Sequence, residues 1–454
     1  MSDNVSSKPG GPQLLNPRTD QPTGSARRRE LGHLRETVGL GVLVASTIWT
    51  IHARDPSDPN FAWFLTLFVL KYSRLLAQIA GYALYKPHAI PQEPCYGARD
   101  VTFILPTVDP ANPAFGKCVD LILKSGAHSL FIATAGSSNL ASIEAFLKDH
   151  PLPESGTQIE VFQCSIVSKR EQFAAAARHV ATKIVATIDD SVAFHHPDFL
   201  AGLLAPFEDP SIGLNILGCL YLERHNFEIR SSVWETPFVI SGRLCAVRTE
   251  ILTPEFLSAY TNERFFFGLF PSRGGASGGG LIADDDNHLT RRLVSHNWNI
   301  AFQDLGPITR IETSIATDPV KFRKQLLRWV KTTWRSNSCS LLTDRSTWFR
   351  YPVATYTVFL WSLVNFSFLW DSAQILLLSS SHRGTFQSVV SLVAFILAMK
   401  LVKTGTYFWR HPQDLKFFWA YVLFAWRHGY VKLMALLSFW DASWGSRDLG
   451  AAGK

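Results

Sequence analysis

Three short clusters in this sequence carry side chains able to do chemistry together: Ile188-Asp189-Asp190-Ser191, Asp284-Asp285-Asp286-Asn287 and Gln325-Leu326-Leu327-Arg328-Trp329. The first sets two carboxylates at the end of an apolar run. Hard oxygen donors of this kind hold a divalent cation that also grips a diphosphate, and Mg2+ needs only one or two of them. A strand-end Asp pair serves equally well as a helix cap or turn element. In the second cluster three consecutive carboxylates repel one another, which raises the proton affinity of one of them and suits it to general-base work. The triplet also reads as a solvated helix start, because Leu289, Leu293 and His296 follow at helical spacing. The third cluster offers a planar guanidinium for a diphosphate and a flat indole face for a sugar ring.

Positioning such groups needs a scaffold, and the stretch from Arg99 to Arg350 supplies one. Val101-Thr102-Phe103-Ile104-Leu105 is a short apolar run stopped by Pro106, the pattern of a buried strand. Further strand signals cover 129–134, 159–162 and 183–188, with helical stretches at 141–148 and 171–179 between them. Alternating strands and helices predict an α/β domain with a mostly parallel sheet, whose ligands sit at the strand carboxyl ends. Asp189 and Asp190 fall at such an end. The glycine-rich run 274–280 lacks the Gly-Lys-Ser/Thr ending of a phosphate-binding loop and reads as a gating loop.

The chain has 454 residues, of which 47% are hydrophobic and only 18% charged, against about 25% charged in average soluble domains. The deficit lies at the two ends, so a polar domain is expected between membrane segments. Residues 37–53 and 61–84 read as a hairpin with both ends cytosolic. Residues 351–370, 386–399 and 416–440 read as three more hydrophobic segments, or four if 371–381 adds a re-entrant piece. The net charge of +7 is dispersed rather than arrayed in a stripe, which argues against a nucleic-acid partner. The six cysteines are widely spaced with no Cys-x-x-Cys pair, so zinc and disulfide scaffolds are not expected. Residues 1–36 read as a disordered basic tail with no cleavable signal peptide; a transit peptide disagrees with Asp3, Asp20, Glu30 and Glu36. Residues 321–350, beginning with a helix of interleaved apolar and basic residues, have the profile of amphipathic helices on a membrane surface. A tail is expected over 441–454.

The acidic pair, the later Asp-rich helix start and the Gln-x-x-Arg-Trp motif, in that order between membrane segments, resemble the processive synthases of glycosyltransferase family 2. That group includes the hyaluronan, cellulose and chitin synthases, and the likeness is greatest to fungal hyaluronan-synthase-like proteins. Supporting phrases are residues 224–230, Ser241-Gly242-Arg243, 284–290, 328–337 and 444–447. The resemblance implies a glycosyltransferase-A-type α/β domain over 99–320, inserted between transmembrane helices at 37–86 and 351–440. It implies Asp286 as catalytic base beside Asp285, with Gln325, Arg328 and Trp329 closing over donor and acceptor. Pro106, Thr107, Asp109, Lys169, Arg170 and Asp189 then face the donor, and Ser241, Gly242 and Arg243 the acceptor. Asp189 belongs to the metal motif for Mn2+ or Mg2+, but Ser191 stands where that family has a second Asp, which shifts ligation towards Asp190. The second strand also lacks the Asp that reads the nucleotide in that family, for residues 133–138 contain none.

The implied activity is polymerisation of sugars from UDP-sugar donors into a polysaccharide and its extrusion, by a multi-pass plasma-membrane enzyme with a cytosolic catalytic domain. The expected partners are the UDP-sugar, the growing polysaccharide and the lipid bilayer. The enzymatic alternative is a non-processive transferase to a lipid or glycan acceptor, and a catalytically silent scaffold relative is another. A channel with a cytosolic domain would show an internal repeat, and the sequence has none.

Overall fold

The computed structural model describes residues 39, 41–150, 156–217, 242–264, 281–313, 318–344, 346–402 and 404–441. The N-terminal tail, residues 224–230, Ser241, the glycine run 274–280 and residues 442–454 lie outside the described residues. Residues 41–54 are helical, and a turn leads into α1 (Pro59–Leu84). Asp58 caps α1 by accepting from the Phe61 N–H at 3.0 Å, and Pro59 opens the helix where no donor is missed.

Among the described residues nine strands follow: β1 (Val101–Pro106), β2 (Ser129–Ala135), β3 (Gln158–Cys164), β4 (Ile184–Ile188), β5 (Val192–Ala193), β6 (Ile212–Leu217), β7 (Leu244–Arg248), β8 (Asn299–Gln303) and β9 (Glu312–Thr313). Seven of them form one sheet in the order β3-β2-β1-β4-β7-β6-β8, while β5 and β9 pair separately. Only β7 runs against its neighbours β4 and β6, so the sheet is mostly parallel, as expected. Its helices are α2 (Pro113–Lys124), α3 (Ser137–Asp149), α4 (Lys169–Ala177), α5 (Phe199–Leu204), α6 (Pro254–Thr261) and α7 (Asp285–Ser295). Both sheet faces are covered. On β1, Val101, Phe103 and Leu105 pack into the core beneath α2 and α5, while Ile104 points into the core beneath α4, α6 and α7. Two apolar faces explain why these strands read as continuous apolar runs rather than alternating ones. Phe103, Ile104 and Leu105 are fully buried, each worth about 1.5–3 kcal/mol of transfer free energy.

Beyond the sheet come α8 (Pro319–Thr332), a wider π turn over Thr333–Asn337, then α9 (Ser367–Ser379), α10 (Phe386–Val402) and α11 (Phe418–Leu436). By length and composition α1 is apolar enough to cross a membrane; Pro352–Val364 and Ser367–Ser379 qualify only as a pair bent by 89°. The uninterrupted span expected over 351–370 is therefore broken, inside an uncharged run whose composition carries no sign of it. The opened backbone finds donors: Val364 O accepts from the Trp370 indole at 2.9 Å, and Asn365 O from Lys432 Nζ at 3.4 Å. Such partners are what make a helix break affordable in apolar surroundings.

The terminal helices are pinned by charge as well as by shape. Asp371 of α9 is buried and accepts from Lys71 of α1 at 2.6 Å, Lys400 of α10 at 2.8 Å and the Trp426 indole of α11 at 2.7 Å. Lys71, inside the apolar stretch 61–84, thus turns inward to a carboxylate.

Candidate active site

The carboxyl ends of β1 and β4 lie side by side, and the reversed strand β7 begins at the same edge. Antiparallel pairing of Ile188 with Leu244 brings Gly242 and Arg243 beside Asp189, whose N–H donates to Arg243 O at 2.8 Å. Here Lys169, the first residue of α4, reaches across the edge. Its ammonium donates to Asp189 Oδ1 at 2.7 Å and Gly242 O at 2.6 Å, and lies 3.4 Å from Asp285 Oδ2. Burial works to lower its pKa, but the Asp189 and Asp285 charges outweigh that and hold it above its usual range.

Arg170, expected beside Lys169 at the donor, faces the other way. Successive helical residues point about 100° apart, and Arg170 is fully buried in the core behind the site. Its guanidinium donates to Tyr260 O at 2.7 Å, Ala283 O at 2.8 Å, Asp284 O at 2.9 Å and Glu263 Oε2 at 2.7 Å. It holds the entry to α7 rather than a ligand.

Asp189 and Asp190 part company for a similar reason. Asp189 keeps 34% of its side chain open, whereas Asp190 is buried and its Oδ2 accepts from the Thr107 hydroxyl at 2.9 Å. Thr107 is buried too; its carbonyl accepts from Gln172 Nε2 at 2.9 Å. The Thr107–Asp190 bond ties the ends of β1 and β4 together, so the Thr107 hydroxyl is turned to Asp190 rather than to a donor, and the Asp190 carboxylate, expected as a metal ligand, is buried against Thr107. Asp109 is exposed beyond β1, Pro106 is buried within it, and Ser191 is half-buried in the turn after β4. Arg243 offers its carbonyl to Asp189 but turns its guanidinium to the Thr313 hydroxyl on β9, away from the acceptor role expected of it.

The acidic triplet divides into three tasks. Asp284 precedes α7 in the left-handed region, φ 62°, a conformation Asp tolerates better than most residues. Its side chain caps no N–H of its own helix; it accepts instead from Thr332 Oγ1 at 2.6 Å and from Arg335 at 2.5 and 2.8 Å. Asp285 faces Lys169. Asp286 is half-buried against Gly242, where an added Cβ would sit 3.3 Å from Asp286 Oδ2. Burial, then the neighbouring Asp285 and Asp284 charges, push its pKa up to about 7, with Lys169 and the Asn287 N–H opposing.

The Gln-x-x-Arg-Trp motif lies on α8. Asp318 caps this helix by accepting from the Lys321 N–H at 3.1 Å, and Lys321, Arg323 and Lys324 are exposed. The second half of the motif's helix departs from the expected membrane-surface profile, because its charges turn inward. Burial lowers the pKa of Arg328, while Asp285, Asp286, Asp284 and Asp189 act to raise it, so its charge lies within the field of all four acids. Lys331 and Arg335 are buried as well, Lys331 donating to Asp441 Oδ2 at 2.8 Å. The Gln325 amide oxygen is buried and has no hydrogen-bond partner among the described residues, and Trp329 is half-buried.

Glu263 escaped sequence reasoning, as no local spacing marks it. It gathers Arg170, His288 Nδ1 at 2.9 Å and Arg291. Burial opposes its ionisation, but those cations outweigh it and keep the carboxyl well below its usual range.

Among the described residues no three His, Cys, Asp or Glu side chains converge to hold a metal unaided. One half-open carboxylate, Asp189, beside an ammonium fits a Mg2+ or Mn2+ ion held largely by a donor's own phosphates. The site as a whole therefore combines an acid poised near neutrality, two inward cations for a departing anion and an unsatisfied amide oxygen for a hydroxyl.

The family model described as "Glycosyltransferase like family 2" matches residues 98–332. A type 2 glycosyltransferase of Pyricularia oryzae is 30% identical, covering 86% of this chain and 83% of its own. One from Gibberella zeae is 32% identical over 86% of this chain and 76% of its own. An NDP-glycosyltransferase, ltbB, of Aspergillus luteorubrus is 26% identical over 64% of this chain and 75% of its own. Among solved structures, a mannosyltransferase from Pyrobaculum calidifontis in complex with GDP-Man and Mn2+ shares the fold. Its TM-score is 0.52 at 14% identity, over 85% of this chain and 99% of that one.

Proposed function

This chain belongs to glycosyltransferase-like family 2, a nucleotide-sugar-dependent transferase with an α/β fold of glycosyltransferase-A type, and from that premise we propose that it is a membrane-bound inverting enzyme that polymerises sugars from UDP-sugar donors. The observation that carries the catalytic reading is the placement of Asp286, half-buried against Gly242 beside the Lys169–Asp285 pair, where desolvation and the neighbouring carboxylates push its pKa up to about 7. A base with that affinity is ionised enough to accept a proton at neutral pH and basic enough for the transfer to matter. The acceptor hydroxyl gives its proton to Asp286 while its oxygen bonds to the anomeric carbon. The bond from that carbon to the diphosphate breaks, and the nucleoside diphosphate leaves with the electron pair.

Lys169 and Arg328 face the charge that builds on the departing diphosphate, where fixed cations in a desolvated site lower the barrier most. Asp189 would hold the divalent ion, which supplies further neutralisation of the diphosphate when bound. Gln325 Oε1 accepts from a sugar hydroxyl, and Trp329 stacks on the acceptor ring. Polymer formation at a plasma membrane is supported by the joint between α8 and the apolar helices. Trp334, one turn beyond the motif, donates its indole N–H to Lys432 O of α11 at 2.9 Å, so the acceptor side of the site abuts the segment fit to receive a growing chain. The test is Asp286→Asn in purified protein fed labelled UDP-GlcNAc, UDP-glucuronate and UDP-glucose, singly and in pairs. Loss of turnover with retained donor binding is expected, and undiminished polymer would sink the reading. Product length separates polymerisation from single transfer.

A further inference from the structure

The geometry points to Arg335 as a positioning residue that ties the C-terminal turn Phe439–Asp441 to the catalytic carboxylates through Asp284. This rests on the reading of Asp286 as the base. Arg335 is 2% exposed and Asp284 7%, and the pair is bidentate, with Nε on Oδ2 at 2.5 Å and Nη2 on Oδ1 at 2.8 Å. A fork of this kind sets direction as well as attraction. The remaining nitrogen, Nη1, donates to Phe439 O at 2.7 Å and Asp441 O at 3.3 Å. Lys331, four residues earlier on the same side, holds Asp441 by its carboxylate at 2.8 Å. One guanidinium thus bridges the end of α11 and the residue that opens α7.

Asp284 is the place where such a bridge has leverage. Its backbone is left-handed, and its carbonyl starts the helix by accepting from the His288 N–H at 3.1 Å. The φ and ψ of this residue set the direction in which the first turn of α7 leaves, and with it where Asp285 meets Lys169 and where Asp286 meets Gly242. Capping its own helix would be the ordinary use of an Asp at this position. Here the side chain is drawn off to Thr332 and Arg335 instead, so the conformation of the catalytic turn depends on residues 48 and 51 positions away. The terminal helices thereby hold the site in working geometry. A displacement of about 1 Å at reacting groups is enough to cost about 100-fold in rate.

Full-length protein carrying Arg335→Gln or Asp284→Asn tests this, with Arg335→Lys and Thr332→Val as milder variants should either fail to fold. With whichever UDP-sugar the unaltered enzyme turns over, kcat should fall at least tenfold while the KM for donor stays within twofold. The acid limb of the kcat profile should move in opposite directions. It rises in Arg335→Gln, which unmasks the Asp284 charge beside Asp286, and falls in Asp284→Asn, which removes it. Hydrogen–deuterium exchange over residues 284–290, read without substrate, should quicken in each Arg335 variant. Unchanged kcat and limb in folded variants, or unchanged exchange, overturns the proposal. Full turnover by Asp286→Asn would instead overturn the base assignment, and the exchange result would still judge Arg335.

Discussion

Replacing Asp286 by Asn should stabilise the protein above neutral pH while abolishing its chemistry. The carboxyl is half-buried, and desolvation with the Asp285 and Asp284 charges pushes its pKa up to about 7 against an ordinary 3.8, so its charged form is disfavoured in the fold. A group raised in this way contributes stability that is fully present below pH 4 and lost as pH rises through 7. The difference of roughly 3 in pKa corresponds to about 4 kcal/mol of destabilisation at pH 8.5. Relaxation in a real protein trims this, and about 2 kcal/mol is a fair expectation. Asn keeps the shape and the oxygen that accepts from the Asn287 N–H at 2.8 Å. Thermal unfolding of both proteins in the same detergent, followed by tryptophan fluorescence at pH 4 and pH 8.5, reads the effect. At about 2–4 °C per kcal/mol for a domain of this size, Asp286→Asn should unfold several degrees above the parent at pH 8.5 and level with it near pH 4. Equal or lower melting at pH 8.5 would show that Asp286 is comfortably ionised in the fold, and the poised-base argument would fall with it.

Gly242→Ala should reduce kcat about tenfold with little loss of stability, since its Cβ would press on Asp286 Oδ2 from 3.3 Å; steady-state kinetics beside a melting curve decides it. Arg170→Met should lower folded yield and cost about 3–5 kcal/mol, because it takes the guanidinium from three buried carbonyls and one of three cations from Glu263; surviving protein with unchanged melting would return Arg170 to the donor site. Asp371→Leu leaves Lys71 and Lys400 uncompensated among α1, α9 and α10, and a similar loss is expected in thermal melting. Chelation with EDTA should stop turnover, and Mn2+ or Mg2+ should restore it, with melting barely changed because Lys169 already pairs with Asp189.

Much of this protein is legible in its sequence because the signals are local. Strands β1, β2 and β4 announce themselves as short apolar runs closed by Pro106, Gly136 and Asp189, since a strand buried on both faces has no polar side to show. The acid-rich start of α7 and the motif on α8 are equally local, and their order along the chain carries the reaction class. What required tertiary structure is the direction each side chain takes. Neighbours such as Lys169 and Arg170, or Asp189 and Asp190, have matching chemistry, yet one of each pair enters the cleft and the other the core. Helix rotation and strand pleat separate adjacent residues by a large angle, and only packing decides which direction is inside. The inward charges of α8, the helix break at Asn365 and the Asp284–Arg335 bridge have the same origin. Each joins residues far apart in the chain, where burial strengthens an ion pair or satisfies an opened carbonyl, and no local spacing records which distant partner will arrive.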